Sequence, residues 1–264
     1  MNFRQINHDV MQNTYELCNS LESLKKAIAD SISREYVVYQ EDKIELPSLE
    51  ANKSMKIIVS KERTYEAAEK YKGKKICCLD FANNHSVGGG PWHAGAQEES
   101  MCRTSTLYPC LYAKKAEFYY KHSQEFEAGI IDSMGSDDLI YIPDVVVFKT
   151  DVSIPEMKDE SDWFKTNVIA AAAPVLGWSY DKTKYKKIME ARIKRILDVA
   201  AKEKNQVLIL GAFGCGAFHN PPDVVADIFA KLIKNYDFEI VEFAVFCRGD
   251  DTSNYDAFKS KFLA

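Results

Sequence analysis

The chain has 264 residues, a formal net charge of −5, 46% hydrophobic residues and 12% aromatics. These values suit one large α/β domain, or one domain with an extension, and exclude a disordered chain. No apolar run approaches a membrane span, the start lacks a signal peptide's apolar stretch, and the lysines are scattered among acids, so neither a membrane nor sequence-specific nucleic acid is an expected partner.

Residues 4–33 carry apolar positions at helical spacing (Ile6, Val10, Met11, Tyr15, Cys18, Leu21, Leu24, Ile28) and predict one or two helices. Tyr36 to Tyr39 reads as a short strand, Leu46-Pro47-Ser48 as a turn, and Met55 to Ser60 as a strand. Thr64 to Tyr71 is a predicted helix ended by Gly73. The apolar run Lys75 to Phe81 is a strand, in which Cys77 and Cys78 should face opposite sides. A loop containing Gly88-Gly89-Gly90 follows, then a helix from Ser100 to Tyr108 that Pro109 should break or kink, and a further helix over Leu111 to Glu127. Leu139 to Ile142 and Val145 to Phe148 read as two strands split by a turn at Pro143-Asp144.

Residues 150–162 read as a polar surface loop, and Asn167 to Ala173 as a buried strand stopped by Pro174 and Gly177. Thr183 to Lys204 is the clearest helix. The strand Gln206 to Leu210 enters a second glycine loop, Gly211 to Pro222. A helix over Asp223 to Asn235, a long strand over Phe238 to Cys247 and a last helix over Asn254 to Phe262 complete the chain. Strands alternating with helices predict a mixed, mostly parallel sheet covered on both faces, with both glycine loops opening on one edge. The expected division is a helical extension over residues 1–50 packed on a main domain over 51–264.

A glycine loop between strand and helix suits an anion, because backbone N–H groups can converge on phosphate oxygens. Gly214-Cys215-Gly216 has that setting, although a tight turn without a ligand explains it equally well, and its glycines do not follow the dinucleotide fingerprint. Glu98 and Glu99 in a first helical turn can simply favour the helix dipole. With Gln97 beside them and three glycines upstream, they also suit glycosidic cleavage, which needs a carboxyl that acts as acid and then base. Asn83 or Asn84 could hold a ribose hydroxyl or merely cap a turn. A zinc site would want three or four ligands such as Cys215, His219, His85 and His93 on rigid elements, and loop packing or ligand contact is the favoured reading of these residues; no histidine is obviously paired with Cys215 to make it a nucleophile. No metal or cofactor is expected. The seven cysteines read as free thiols in a reducing, cytoplasmic setting.

Gly88-Gly89-Gly90, six residues, then Gln97-Glu98-Glu99 resembles the GGG-x(6–8)-QEE signature of poly(ADP-ribose) glycohydrolases, which have the macrodomain fold. The bacterial-type branch is the nearest in pattern. The similarity extends over roughly residues 55–260, through Asp80-Phe81-Ala82-Asn83, Tyr141 to Phe148, Ala171 to Pro174, Gly211 to Pro222 and the tail Phe243 to Phe258. The resemblance implies a metal-free, monomeric hydrolase of the O-glycosidic bond between ADP-ribose units. Glu99 would be the catalytic carboxyl, Glu98 would hold the distal ribose hydroxyls, and Gln97 would help fix the loop. Gly88, Gly89 and Gly90 would surround the diphosphate, opposed by Gly214, Cys215, Gly216 and Ala217. Phe218 would pack on the distal ribose, and Asn83, with Asn84 as the fallback, would contact a ribose. Val87 before the glycines and Pro91-Trp92-His93 after them depart from the family pattern. The rival readings are a hydrolase of mono-ADP-ribosyl linkages on protein or nucleic acid, a non-catalytic ADP-ribose reader, and a metal-dependent nucleotide-phosphate hydrolase.

Overall fold

A computed structural model describes residues 2–47 and 54–263. The expected domain boundary at 50/51 and Ser48 of the expected turn lie outside the described residues. Two helices open the chain, α1 (Phe3–Ser20) and α2 (Glu22–Ile32), followed by strand β1 (Tyr36–Val38). Next come β2 (Lys56–Ser60), α3 (Thr64–Glu69) and β3 (Ile76–Phe81). The helix after the first glycine loop, α4 (Gln97–Thr104), starts at Gln97, three residues before the expected Ser100. Pro109 neither breaks nor kinks it. It sits in the first turn of α5 (Leu107–Ala113), where a backbone N–H has no helical partner to lose. The chain then widens into π-helical turns over Lys115–Tyr120 and returns to α6 (Lys121–Glu127).

The two strands expected around Pro143-Asp144 are one, β4 (Leu139–Val147). The pair forms a bulge between Ile142 and Val145 instead of a turn, with Asp144 at φ +55°. A bulge takes a proline without costing a ladder hydrogen bond, and Asn167 Oδ1 accepts the Asp144 N–H at 3.1 Å. The remaining elements are β5 (Phe164–Ala171), α7 (Lys182–Lys202), β6 (Val207–Leu210), α8 (Pro222–Leu232), β7 (Ile240–Ala244) and α9 (Ser253–Phe262). Strand β7 is shorter than the expected Phe238–Cys247 run; beyond its ends Phe238 and Val245 are buried, while Phe246 is exposed.

The seven strands form one sheet in the order β1-β4-β5-β3-β6-β7-β2. The β1–β4 and β4–β5 pairs are antiparallel, and the other four are parallel. Large buried clusters cover both faces: Cys77 and Leu79 of β3 enter one, and Ile76 and Cys78 the other. A third cluster, with Cys18, Leu24 and Phe148, seats α1 and α2. Strands β3 and β6 are parallel neighbours, with Ile76 opposite Val207, so both glycine loops leave the same edge of the sheet. Among the described residues no helix is long and apolar enough to cross a membrane.

Candidate active site

The first glycine loop is bound to the start of α4 by side chains of α4 itself. Gln97 Oε1 accepts the Phe81 N–H at 2.9 Å, and its amide donates to Leu79 O at 2.8 Å and Thr64 Oγ1 at 3.0 Å. One amide thus ties the end of β3 to the helix. Glu98 Oε2 accepts the Asn83 N–H at 2.8 Å, and Glu99 Oε1 accepts the Gly90 N–H at 3.1 Å. Both carboxylates are buried, and the second oxygen of each has no partner among the described residues.

Glycine is required where this loop passes over the acids. Gly89 has φ +67°, and a Cβ there would lie 2.4 Å from Glu99 Oε1 and 3.0 Å from Glu98 Oε2. Gly88 has φ +64°, and its Cβ would meet Cys102 Sγ at 2.9 Å. Asn83 Oδ1 accepts the N–H groups of His85 and Ser86 at 2.8 and 2.9 Å, which turns the chain toward the glycines. Asn83 lines the cavity described below, whereas the Asn84 amide lies against Gly135.

A third acid joins the pair. Asp80, second to last in β3, is wholly buried, and neither of its oxygens has a partner among the described residues. Burial pushes its carboxyl well above the usual range, and the charge of Glu99 adds to this. Burial does the same to Glu98, reinforced by Asp80 and opposed by the Asn83 N–H. Burial and the neighbouring acids therefore favour the protonated forms of Asp80 and Glu98. The sequence does carry a signal for Asp80: one acid inside the otherwise apolar run Ile76–Phe81.

The second loop is held differently. Gly214, at φ +73°, packs so closely that a Cβ would lie 2.4 Å from Ala173 Cβ and 2.5 Å from Asn220 Nδ2. The buried Asn220 amide donates to Pro174 O at 2.8 Å and Gly214 O at 2.9 Å, closing the loop on itself. Gly216 has open space beside it. Among the described residues the N–H groups of Gly216, Ala217 and Phe218 donate to no group of the chain. Cys215 packs against the core, its N–H donates to Ala212 O at 3.0 Å, and burial pushes its thiol up to about 12. That direction is opposite to what a nucleophilic thiolate needs.

Glu98, Glu99, Asn83, Gln97, Gly214, Gly216, Ala217 and Phe218 all line one cavity of 860 Å³, within the range that holds cofactor-sized ligands. Gly89 and Gly90 face another way, into a second hollow of 390 Å³, and they reach the cavity only through the carboxylates they support. Sequence reasoning missed a further part of the lining. There the exposed Phe246 ring lies under the Arg63 guanidinium, 4.0 Å from its centroid, with Arg248 and Asn254 nearby. It also missed Asp151, a buried carboxylate that accepts from Ser100 Oγ at 2.7 Å and the Tyr65 N–H at 2.9 Å. Arg103 donates to Pro91 O and Ala94 O at 2.9 and 2.7 Å and holds the segment between the glycines and α4. These residues come from separate elements and carry no local motif. Among the described residues no three His, Cys, Asp or Glu side chains converge in a way that could hold a metal.

Comparison with known proteins is consistent with this geometry. The profile described as "Microbial-type PARG, catalytic domain" matches residues 6–150. No curated protein matches. Among solved structures, the poly(ADP-ribose) glycohydrolase (PARG) of Thermomonospora curvata is similar, at TM-score 0.86 and 27% identity over 97% of this chain and 99% of that one. The same protein bound to the inhibitor ADP-HPD gives TM-score 0.83 and 26% identity over the same shares. The glycohydrolase of Deinococcus radiodurans in complex with ADP-ribose gives TM-score 0.76 and 28% identity over 89% of this chain and 97% of that one.

Proposed function

The chain belongs to the family of microbial-type poly(ADP-ribose) glycohydrolase catalytic domains, and from that premise we propose that it hydrolyses the ribose–ribose O-glycosidic bond of poly(ADP-ribose), with Glu99 as its acid–base. The observation that carries this reading is the pair of adjacent buried carboxylates lining the cavity, each held by one loop N–H and each with a second, buried oxygen that has no partner among the described residues. A terminal ADP-ribose unit lies in the cavity with its diphosphate on the unpaired N–H groups of Gly216, Ala217 and Phe218. Its distal ribose rests on Phe218, with Glu98 and Asn83 at its hydroxyls. The free amide edge of Asn83 serves here, since its carbonyl is taken up by the turn. The Phe246 ring and Arg63 offer the adenine a stacking surface.

Protonated Glu99 gives its proton to the departing ribose oxygen as the glycosidic bond breaks. Positive charge develops on the distal ribose, and the diphosphate held by the loop stabilises it. Glu99, now a carboxylate, takes a proton from water as the hydroxyl adds to the anomeric carbon. Gly88, Gly89 and Gly90 act at one remove, by fixing the Glu99 carboxylate. Cys215 contributes backbone only. The same reading takes residues 1–50 as an extension, of which α1 and α2 pack on α4 and β4 and β1 adds to the sheet edge, in a monomeric, cytoplasmic enzyme that needs no metal.

Incubation with poly(ADP-ribose), with released ADP-ribose followed by chromatography, tests the assignment. The wild type should release ADP-ribose. Glu99→Gln should lose at least ~100-fold in turnover while still binding ADP-ribose, the scale of acid–base catalysis. Full activity of Glu99→Gln would remove Glu99 from its role. Binding without release by the wild type would make the protein a reader or assign it another linkage.

A further inference from the structure

The second hollow shares a wall with the acid. Gly89 and Gly90 line it, and the same Gly90 donates to Glu99 Oε1 from the other side of that wall. Its other walls are aromatic. Trp92 and Tyr108 meet edge to face at 5.1 Å, and Tyr112 and Tyr120 are half exposed. Lys115 lies between the last two, with Nζ 5.1 and 5.0 Å from their ring centroids. The π-helical turns over Lys115–Tyr120 are part of this construction: i→i+5 bonding places residues five apart on one face, so Lys115 and Tyr120 both reach the hollow. Tyr119, whose buried hydroxyl lies against the Gly88 backbone, is also in its wall. Trp92 belongs to the very segment, Pro91-Trp92-His93, that departs from the family pattern.

We propose that this hollow is a subsite for the leaving chain, holding the adenosine and phosphate of the ADP-ribose unit next to the scissile bond. The inference rests on the glycohydrolase reading. If the terminal unit fills the large cavity, the oxygen protonated by Glu99 belongs to the adenosine ribose of the preceding unit, which must emerge beside Glu99. The hollow lies directly behind Gly89 and Gly90, the backbone that supports that carboxylate from its other side. Its chemistry fits a purine nucleotide: aromatic faces stack a base without demanding a sequence, and a lysine ammonium with a tyrosine hydroxyl suits a phosphate. At 390 Å³ it is of nucleoside scale, at the small end of ligand pockets.

The test compares two substrates. One is a short ADP-ribose oligomer, whose leaving group is a full ADP-ribose unit. The other is 1″-(4-nitrophenyl) ADP-ribose, whose leaving group carries no base and no phosphate. Tyr120→Ala and Lys115→Ala alter only exposed or half-exposed side chains, and Trp92→Phe keeps an aromatic ring beside the glycine loop. In Tyr120→Ala and Lys115→Ala, kcat/KM on the oligomer should fall roughly tenfold, the scale of one lost stacking or charge contact, and stay within about twofold on the aryl substrate. Trp92→Phe should lie between wild type and those variants on the oligomer. An unchanged rate on the oligomer overturns the subsite. Equal losses on both substrates also overturn it, because they would mean that the residues only support the loop. A wild type inactive on both substrates overturns the glycohydrolase reading and this inference with it, so the two failures can be told apart.

Discussion

The two glycine loops look alike in the sequence and leave neighbouring parallel strands, yet they use glycine for opposite purposes. In the first, Gly89 lets the backbone press onto Glu98 and Glu99, so the glycine exists for the sake of two side chains. In the second, Gly214 lets the backbone press onto Ala173 and Asn220, and the loop is left with N–H groups free for a ligand. One loop shapes the acid; the other shapes the anion site. The conformational strain at φ +67° and +73° is about the same, so what differs is which neighbour must give way.

Substitution at these glycines tests that difference. In Gly89→Ala the obstructing atom is Glu99 Oε1, the end of a flexible side chain. The carboxylate moves aside, the fold survives, and turnover should fall by at least ~100-fold, as large as loss of the acid itself. A circular-dichroism melt beside the activity assay checks both halves; an active Gly89→Ala would mean that the loop does not position Glu99. In Gly214→Ala the obstructing atoms are a buried Cβ and a buried amide that already bridges two carbonyls. Neither can retreat, so about 2–4 kcal/mol of stability should be lost, combining overpacking with backbone strain. Urea denaturation measures it, and a loss below about 1 kcal/mol would show that the loop yields.

The comparison also shows what a sequence can and cannot display. Both loops, their flanking strands and the Glu98-Glu99 pair are local patterns and therefore legible. The bulge at Pro143-Asp144 reads as a turn, because a proline and a residue of positive φ suit either and only the facing strand β5 decides. Asp80 is a visible anomaly, an acid inside an apolar strand, but nothing local ties it to the two glutamates. Asn220 and Arg103 cannot be found from the sequence, since each brings together carbonyls that only the folded chain places side by side. The orientation of Gly89 and Gly90 away from the large cavity is likewise invisible, because the spacing of a motif does not say on which side of a wall it lies.

Titration separates the loops again. Burial raises Asp80 and Glu98 beside the first loop. A carboxyl whose folded value lies above its unfolded value of about 4 stabilises fully below that pH, and the contribution is lost as pH rises toward the folded value. Asp80→Asn cannot ionise, so it should gain stability relative to the wild type between pH 4 and pH 9. Denaturation at the two pH values measures it, and parallel pH profiles would mean that Asp80 is already ionised in the folded chain. The thiol of Cys215, pushed up to about 12, adds a dependence only at the alkaline end, above its unfolded value of about 8.5.

Gly216→Ala should have the smallest effect and discriminates most finely. A Cβ there meets nothing within 4 Å and the backbone is not in the left-handed region, so stability should stay within ~0.5 kcal/mol of the wild type. The methyl would stand in the space where a diphosphate must approach the N–H groups of Gly216 and Ala217. ADP-ribose affinity by calorimetry should therefore weaken several-fold, the equivalent of about 1 kcal/mol. The three alanines then fall into three classes: lost turnover at Gly89, lost stability at Gly214 and lost affinity at Gly216. If Gly216→Ala binds ADP-ribose as the wild type does, the free N–H groups are a feature of the turn alone, and the anion must be held by another part of the cavity.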